Sequence, residues 1–118
     1  MNALVSIITP SYNSAKFIAE TIQSVQNQTY QNWEMIIVDD GSSDETESVV
    51  ISIIQNDNRI QFHKLNQNSG PAVARNTGIE KASGDYMTFI DADDIWFPTF
   101  IENNIKTIQK TGIPFVFS

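Results

Sequence analysis

Met35-Ile36-Ile37-Val38-Asp39-Asp40-Gly41-Ser42-Ser43 is the stretch from which the fold class is most readily inferred. Its four consecutive apolar residues, introduced by Trp33, predict a short strand that is buried on both faces of a sheet. The strand ends in an acidic pair and a Gly-Ser turn, a composition typical of loops. Ser42 and Glu45 have the spacing of a capping box, so we expect a helix to start at this turn.

The same order of strand, loop and helix repeats on both sides of this stretch. Apolar runs predict further strands over residues 4–8, 60–65, 86–90 and 114–117. Apolar residues at helical spacing predict further helices over residues 14–28, 69–84 and 98–110. Phe17 is expected on the apolar face of the first helix. Alternating strands and helices predict an α/β fold with an open, mostly parallel, Rossmann-like sheet and helices on both of its faces.

Polar clusters follow the first four predicted strands, at residues 9–13, 39–43, 66–70 and 91–94. Ligands of open parallel sheets bind beyond the carboxyl ends of the strands, so we expect these four loops to converge on one rim. The last cluster belongs to Phe89-Ile90-Asp91-Ala92-Asp93-Asp94, which has three carboxylates within four positions. Such carboxylates repel one another unless a cation lies between them, which favours a Mg²⁺ or Mn²⁺ site. The alternative is an ordinary helix N-terminus, where acidic side chains are also favoured.

The composition limits the possible partners. The 118 residues suit one domain, and seven basic residues against fourteen acidic ones give a net charge of -7. Because the basic residues are few and scattered, a nucleic-acid partner is not expected. The absence of cysteine is compatible with a reducing cytoplasm. The sequence has neither a signal peptide nor an apolar run long enough to span a membrane, so no membrane segment is expected in this chain.

The predicted rim suggests a nucleotide ligand. A Gly-x-Gly-x-x-Gly fingerprint and a P-loop are both absent, so a dinucleotide fold or a P-loop NTPase is not indicated. The rim instead offers the ring of Tyr12, the carboxylates of Asp39 and Asp40, the guanidinium of Arg75 and the acidic cluster. A base could stack on the ring while a carboxylate accepts from a ring N–H and a cation holds a diphosphate.

Four ordered motifs resemble those of family 2 glycosyltransferases with the GT-A fold. The first is Val5-Ser6-Ile7-Ile8-Thr9-Pro10-Ser11-Tyr12-Asn13, and the second runs from Trp33 to Asp44. Gly70-Pro71-Ala72-Val73-Ala74-Arg75-Asn76-Thr77-Gly78-Ile79 resembles the next block of the family. Asp91-Ala92-Asp93-Asp94 is similar to its Asp-x-Asp signature. The motifs extend over nearly the whole chain, which makes the match far more specific than a lone Asp-x-Asp.

The resemblance implies which residues of this chain would contact the nucleoside. Pro10 and Tyr12 would lie along the nucleoside, with Tyr12 near the base, and Asp40 would bind the base edge. Arg75 would lie near the nucleotide, although a structural ion pair with a rim acid is an equal alternative. Asp39 is expected to fasten the loop or cap the next helix rather than to contact the ligand.

The resemblance also implies that a metal ion would be bound at the diphosphate end of the site. Asp91 and Asp93 would frame the ribose and the cation, and Asp93 or Asp94 would ligate Mn²⁺ or Mg²⁺ at the diphosphate. The implied reaction is inverting transfer of a sugar from a nucleotide diphosphate, with UDP preferred, to an acceptor hydroxyl on a carbohydrate or a lipid-linked molecule.

Family members are ordinarily about twice as long, and no stretch here matches the motif that bears their general base. We therefore expect residues 1–118 to be the nucleotide-binding half of a truncated GT-A domain, with the acceptor half absent and the base located beyond Ser118. The fragment is expected to bind nucleotide, and a strand edge left unpaired would favour self-association. A cytoplasmic location is expected, with peripheral attachment at the inner membrane face as an option for a full-length protein.

Three other classes remain as alternatives. A receiver-type signalling domain binds Mg²⁺ on a similar architecture, but its acidic pair follows the first strand, where this chain has Thr-Pro-Ser-Tyr-Asn. An Asp-x-Asp phosphohydrolase usually has that motif on the first strand rather than the fourth. A non-catalytic nucleotide-binding module is the third alternative.

Overall fold

The structure is a computed structural model that describes residues 3–111. Its strands and helices alternate along the chain: β1 (Val5–Ser11), α1 (Ile18–Gln26), β2 (Trp33–Asp39), α2 (Thr46–Ile54), β3 (Ile60–Lys64), α3 (Pro71–Lys81), β4 (Tyr86–Phe89) and α4 (Phe100–Thr111). This order confirms the α/β prediction. The strand predicted over residues 114–117 lies outside the described residues.

The four strands form one parallel sheet in the order β3-β2-β1-β4. β1 is central, pairing Ile7 with Met35 of β2 and with Thr88 of β4. Because all strands run in the same direction, their carboxyl ends lie on one rim of the sheet. The predicted open parallel sheet is confirmed.

Helices cover both faces of this sheet. On one face, α1, α2 and α4 pack over the strands in a core that includes Ile7, Ile22, Met35 and Ile105. On the other face, α3 packs on β1 and β2, with Ala74 against Ile36 and Val38. Burial of these aliphatic side chains is the main favourable term for folding.

Several predicted helix boundaries were wrong. α1 begins at Ile18 rather than at residue 14, and Phe17, expected on its apolar face, is 53% exposed. α2 begins at Thr46 without a side-chain cap bond, so the predicted capping box does not form. α3 ends at Lys81 rather than at residue 84, and α4 begins at Phe100 rather than at residue 98.

Gly78 and Gly84 allow close packing on the sheet. A Cβ at Gly78 would lie 2.6 Å from Cγ2 of Ile8, so α3 approaches β1 at this point. A Cβ at Gly84 would lie 2.5 Å from Oγ of Ser6, which explains glycine in the α3–β4 turn. Among residues 3–111, no helix combines the length and apolar character needed to cross a membrane.

Candidate functional site

A cleft of about 430 Å³ opens at the carboxyl ends of the strands. Its walls come from the end of β1, from the loops after β1, β2, β3 and β4 and from the first turns of α3. Its volume is within the range of small-molecule sites. The four loops therefore converge on one rim, as the sequence predicted.

The cleft brings together all six residues predicted to bind a nucleotide: Pro10, Tyr12, Asp40, Arg75, Asp91 and Asp93. Asp94, a predicted metal ligand, is exposed and is not among the residues that line the cleft. Residues to which the sequence assigned no binding role also line it: Ser11, Asn13, Ser14, Phe17, Asn68, Gly70, Pro71, Ala74 and Ala92.

Asp39 is fully buried at the end of β2, where it joins the end of β1 to the β2–α2 loop. Its Oδ1 accepts hydrogen bonds from the hydroxyls of Ser11 at 2.9 Å and Ser42 at 2.6 Å. Its Oδ2 accepts from the backbone N–H of Ser42 at 2.8 Å. These bonds agree with the expectation that Asp39 holds the loop. They also explain the missing capping box, because the Ser42 hydroxyl is directed at Asp39.

Asn13 joins the β1–α1 loop to the β2–α2 loop. It has a φ of 47°, a left-handed conformation that asparagine tolerates better than most residues. Its backbone N–H donates to Oγ of Ser42 at 2.8 Å, and its Oδ1 accepts from the N–H groups of Ser43 at 2.9 Å and Asp44 at 3.3 Å. The two loops are therefore held together before any ligand binds.

Asp40 connects the β2–α2 loop to the start of α3. Its Oδ1 accepts from the N–H of Ser69 at 2.7 Å, and its Oδ2 accepts from the N–H of Gly70 at 2.9 Å. A carboxylate has about four acceptor positions, so further positions remain for a ligand N–H. Gly41, with φ of 76°, lets the β3–α3 loop approach, since a Cβ there would lie 3.1 Å from the backbone N of Asn68.

Two aromatic side chains at the cleft are unusually open. Tyr12 is 49% exposed and Phe17 is 53% exposed, and both line the cleft. Exposed ring faces at a cleft are suited to stacking with a planar ligand. The sequence predicted Tyr12 at the site but placed Phe17 on the apolar face of the first helix, because Phe17 continues the helical spacing of the apolar residues that follow it.

Asn68 also lines the cleft, although the sequence assigned it no binding role. It lies in the polar cluster after β3, and its position in that cluster is the signal that could have identified it.

The acidic residues after β4 lie on an irregular segment of the rim. Asp91, Asp93 and Asp94 are exposed, and the N–H of Asp94 donates to the carbonyl of Asp91 at 3.0 Å. Within residues 3–111, no three His, Cys, Asp or Glu side chains are grouped closely enough to hold a metal ion. The described residues therefore do not form a site in which protein side chains alone surround a metal ion.

Arg75 contributes the guanidinium that lines the cleft, from the second turn of α3. It is exposed and makes no ion pair with Asp40, Asp91 or Asp93 in the described part of the chain. The alternative of a structural ion pair with these rim acids is therefore not seen among the described residues.

The sequence profile described as Glycosyl transferase family 2 matches residues 6–117. The chain belongs to this family. Membership confirms the resemblance of the four motifs and sets aside the receiver-type and phosphohydrolase alternatives.

Relatives of this family 2 chain include WfgD of Escherichia coli, named UDP-Glc:alpha-D-GlcNAc-diphosphoundecaprenol beta-1,3-glucosyltransferase. WfgD is 43% identical over 114 residues, which cover 97% of this chain and 44% of WfgD. The chain spans less than half the length of the curated relatives that it matches.

Solved structures of glycosyltransferases share the fold. S. aureus TarS 1–349 in complex with UDP has a TM-score of 0.84 at 30% identity, covering 90% of this chain and 32% of that chain. The mannosyltransferase PcManGT from Pyrobaculum calidifontis, in complex with GDP-Man and Mn²⁺, has a TM-score of 0.76 at 29% identity. It covers 81% of this chain and 29% of that chain. The predicted GT-A fold is confirmed.

Proposed function

We propose that this family 2 chain binds the nucleotide-diphosphate sugar, preferably a UDP-sugar, for a metal-assisted inverting glycosyltransferase. The observation that carries the proposal is the meeting of Tyr12, Asp40, Arg75, Asp91 and Asp93 in one cleft, although they come from four separate motifs. The UDP complex of TarS supports the same ligand class.

The nucleoside end of the site is assigned to Pro10, Tyr12 and Asp40. The exposed ring of Tyr12 offers a stacking face for the base, and Pro10 lines the wall beside it. Asp40 is 4% exposed and rigidly held, so its remaining acceptor positions select a base with a ring N–H, such as uracil. A base that presents only an acceptor there would set a lone pair against the carboxylate and leave its remaining acceptor positions unfilled, which costs affinity.

The diphosphate end is assigned to Arg75, Asp91 and Asp93, with Asp94 as a further metal ligand. Mg²⁺ in phosphate sites is commonly held by one or two carboxylates, water and the phosphates themselves, and Mn²⁺ takes similar oxygen ligands. Asp91 and Asp93 are exposed, and within residues 3–111 no cluster of three metal-ligating side chains is formed, so these carboxylates fit that kind of site. When bound, a divalent cation stabilises the negative charge that develops on the leaving diphosphate.

We further propose that residues 1–118 supply the donor-binding half of a longer GT-A domain. The general base and the site for a carbohydrate or lipid-linked acceptor would lie outside this sequence. The chain alone would then bind nucleotide but transfer sugar very slowly. A cytoplasmic location and self-association through a strand edge also stay predictions.

Calorimetric titration of the chain with UDP, GDP and dTDP, each with and without Mn²⁺, tests this proposal. UDP is expected to bind most tightly, and Mn²⁺ is expected to strengthen its binding by about tenfold or more, since one charge-assisted contact contributes about 1.5–3 kcal/mol. Asp93→Asn should remove most of the gain from Mn²⁺, because the substitution takes away a cation ligand. Glu47→Gln, which removes an exposed acid paired with Lys64, is the charge-matched control.

Two results would contradict the proposal. Equal affinity for UDP with and without Mn²⁺ would exclude the metal role of the acidic segment. Absence of binding by all three nucleotides would exclude the cleft as a nucleotide site.

A further inference from the structure

Three buried polar side chains form a row along one face of α1 and just beyond it. Thr21, Ser24 and Gln28 are 0%, 8% and 1% exposed, and their spacing of three and four residues places them on the same side of a helix. Polar side chains at such positions are costly unless hydrogen-bonded. All three are hydrogen-bonded, and we call them the α1 row.

Thr21 contacts the backbone of the acidic segment directly. Its hydroxyl lies 2.9 Å from the carbonyl oxygen of Ala92 and 2.7 Å from that of Asp94. One O–H is shared between two acceptors, which are the residues on either side of Asp93. The hydroxyl therefore fixes the peptide groups that flank a predicted cation ligand.

Ser24 and Gln28 continue these contacts along the next residues. The hydroxyl of Ser24 accepts from the N–H of Trp96 at 3.2 Å and donates to the carbonyl of Thr21 at 2.7 Å. Nε2 of Gln28 donates to the carbonyl of Phe97 at 2.8 Å, and its Oε1 accepts from the N–H of Ile101 at 3.0 Å.

The α1 row supplies several of the hydrogen bonds that hold the segment from β4 to α4, which has no regular structure of its own. Residues 90–99 belong to neither a strand nor a helix, so their backbone groups need other partners. The other three loops of the cleft are joined to one another through Asn13 and Asp40. The acidic segment is instead fastened to α1.

We propose that the α1 row, and Thr21 in particular, positions the carboxylates of Asp91 and Asp93 for the metal-bound diphosphate. This inference rests on the proposed function and adds a positioning role for residues that do not touch the ligand. Side chains that point into a site keep a productive geometry only when the backbone beneath them is held.

Thr21→Val tests the inference because it keeps the shape of the side chain and removes the hydroxyl. Thr21→Ser restores the hydroxyl, and Ser24→Ala removes the next contact if Thr21→Val fails to fold. Thr107→Val removes an exposed hydroxyl that donates to the carbonyl of Asn103, and serves as the control. The binding of UDP with Mn²⁺ and the binding of uridine without metal are measured for each variant.

Thr21→Val should weaken Mn²⁺-dependent UDP binding by about tenfold, because two carbonyl groups lose their shared donor. Its binding of uridine should fall much less than its binding of UDP, since Pro10, Tyr12 and Asp40 lie outside the acidic segment and only the expected ribose contact of Asp91 depends on the row. In the ligand-free chain, hydrogen exchange at the N–H of Asp94 should become about tenfold faster. Thr21→Ser and Thr107→Val should resemble wild type in all three measurements.

If Thr21→Val binds UDP as tightly as wild type, and if its Asp94 N–H exchanges at the wild-type rate, the inference is wrong. The proposed function is not affected by that result. Equal loss of uridine and UDP binding would also overturn it, since it would indicate a general structural defect. If wild type itself gains nothing from Mn²⁺, the metal role of the proposed function fails, and the inference fails with it.

Discussion

Asp40 illustrates how one side chain can organise a site and still keep acceptor positions open to a ligand. Its two oxygens already accept from Ser69 and Gly70, so the carboxylate holds the N-terminal end of α3 at the cleft. Gly70 has φ of 97° and precedes Pro71, the first residue of α3. The base-binding role proposed for Asp40 thus depends on the same bonds that fix its orientation.

Asp40→Asn should weaken nucleotide binding whether or not metal is present. The amide NH₂ cannot accept, so one backbone N–H loses its partner, and about 1–3 kcal/mol of folding free energy should be lost. UDP affinity should fall by about tenfold with and without Mn²⁺, since a ligand contact is lost as well. Calorimetry and urea unfolding measure the two effects. A loss confined to the Mn²⁺-dependent part of the affinity would contradict this assignment.

At the scale of elements, α3 shows how the second face of the sheet is covered by one closely packed helix. The approach to β1 occurs at Gly78, where an added Cβ would overlap the side chain of the fully buried Ile8. Gly78 belongs to the family block that also contains Arg75. The placement of the guanidinium at the cleft therefore depends on a glycine one turn further along the helix.

Gly78→Ala should destabilise the fold despite the better helix propensity of alanine. The overlap with Ile8 would cost about 1–3 kcal/mol, as is usual when a packed core receives extra atoms. In an Ile8→Ala background the same substitution should be neutral or stabilising by up to about 1 kcal/mol, because the space is free and propensity dominates. Urea unfolding of the four proteins in this double-mutant cycle measures the coupling. Additive effects would show that the contact carries no strain.

The strands, their parallel arrangement and the loops of the rim were predictable, because apolar runs and the polar residues after them are local features of the sequence. The α1 row was not predictable in this way. Thr21 and Gln28 bond to groups about seventy residues later in the chain, and a helical pattern of apolar residues says nothing about such partners. Phe17 was misplaced because its spacing fits the apolar face of the helix, whereas α1 begins one residue later, at Ile18, and leaves Phe17 outside it.

At the scale of the whole molecule, the charge of -7 makes acid a natural probe of stability. Asp57 and Arg59 form the best-connected ion pair of the described residues, at 2.9 Å, in the turn before β3. Hydrogen bonds from Arg59 lower the pKa of Asp57 to about 2. The guanidinium also lies over the ring of Trp33, 3.8 Å from its centroid, and donates to the carbonyl of Gln31 at 3.0 Å.

The folded-state pKa of Asp57 is lower than its unfolded value, so the pair stabilises the fold above about pH 4 and loses this effect as the pH falls toward 2. Its contribution should be roughly 1–2 kcal/mol near neutral pH, most of it lost between about pH 5 and pH 2. Asp57→Asn should therefore be less stable than wild type at pH 7, and the difference should shrink steadily on acidification. Urea unfolding across this range measures it. His63→Gln is the control. Burial and the nearby Lys81 lower the pKa of His63, so the stability that is lost on its protonation begins to decline below about pH 6.5, before Asp57 titrates. A constant difference between Asp57→Asn and wild type down to pH 2 would mean that the Asp57 carboxylate does not contribute through its charge.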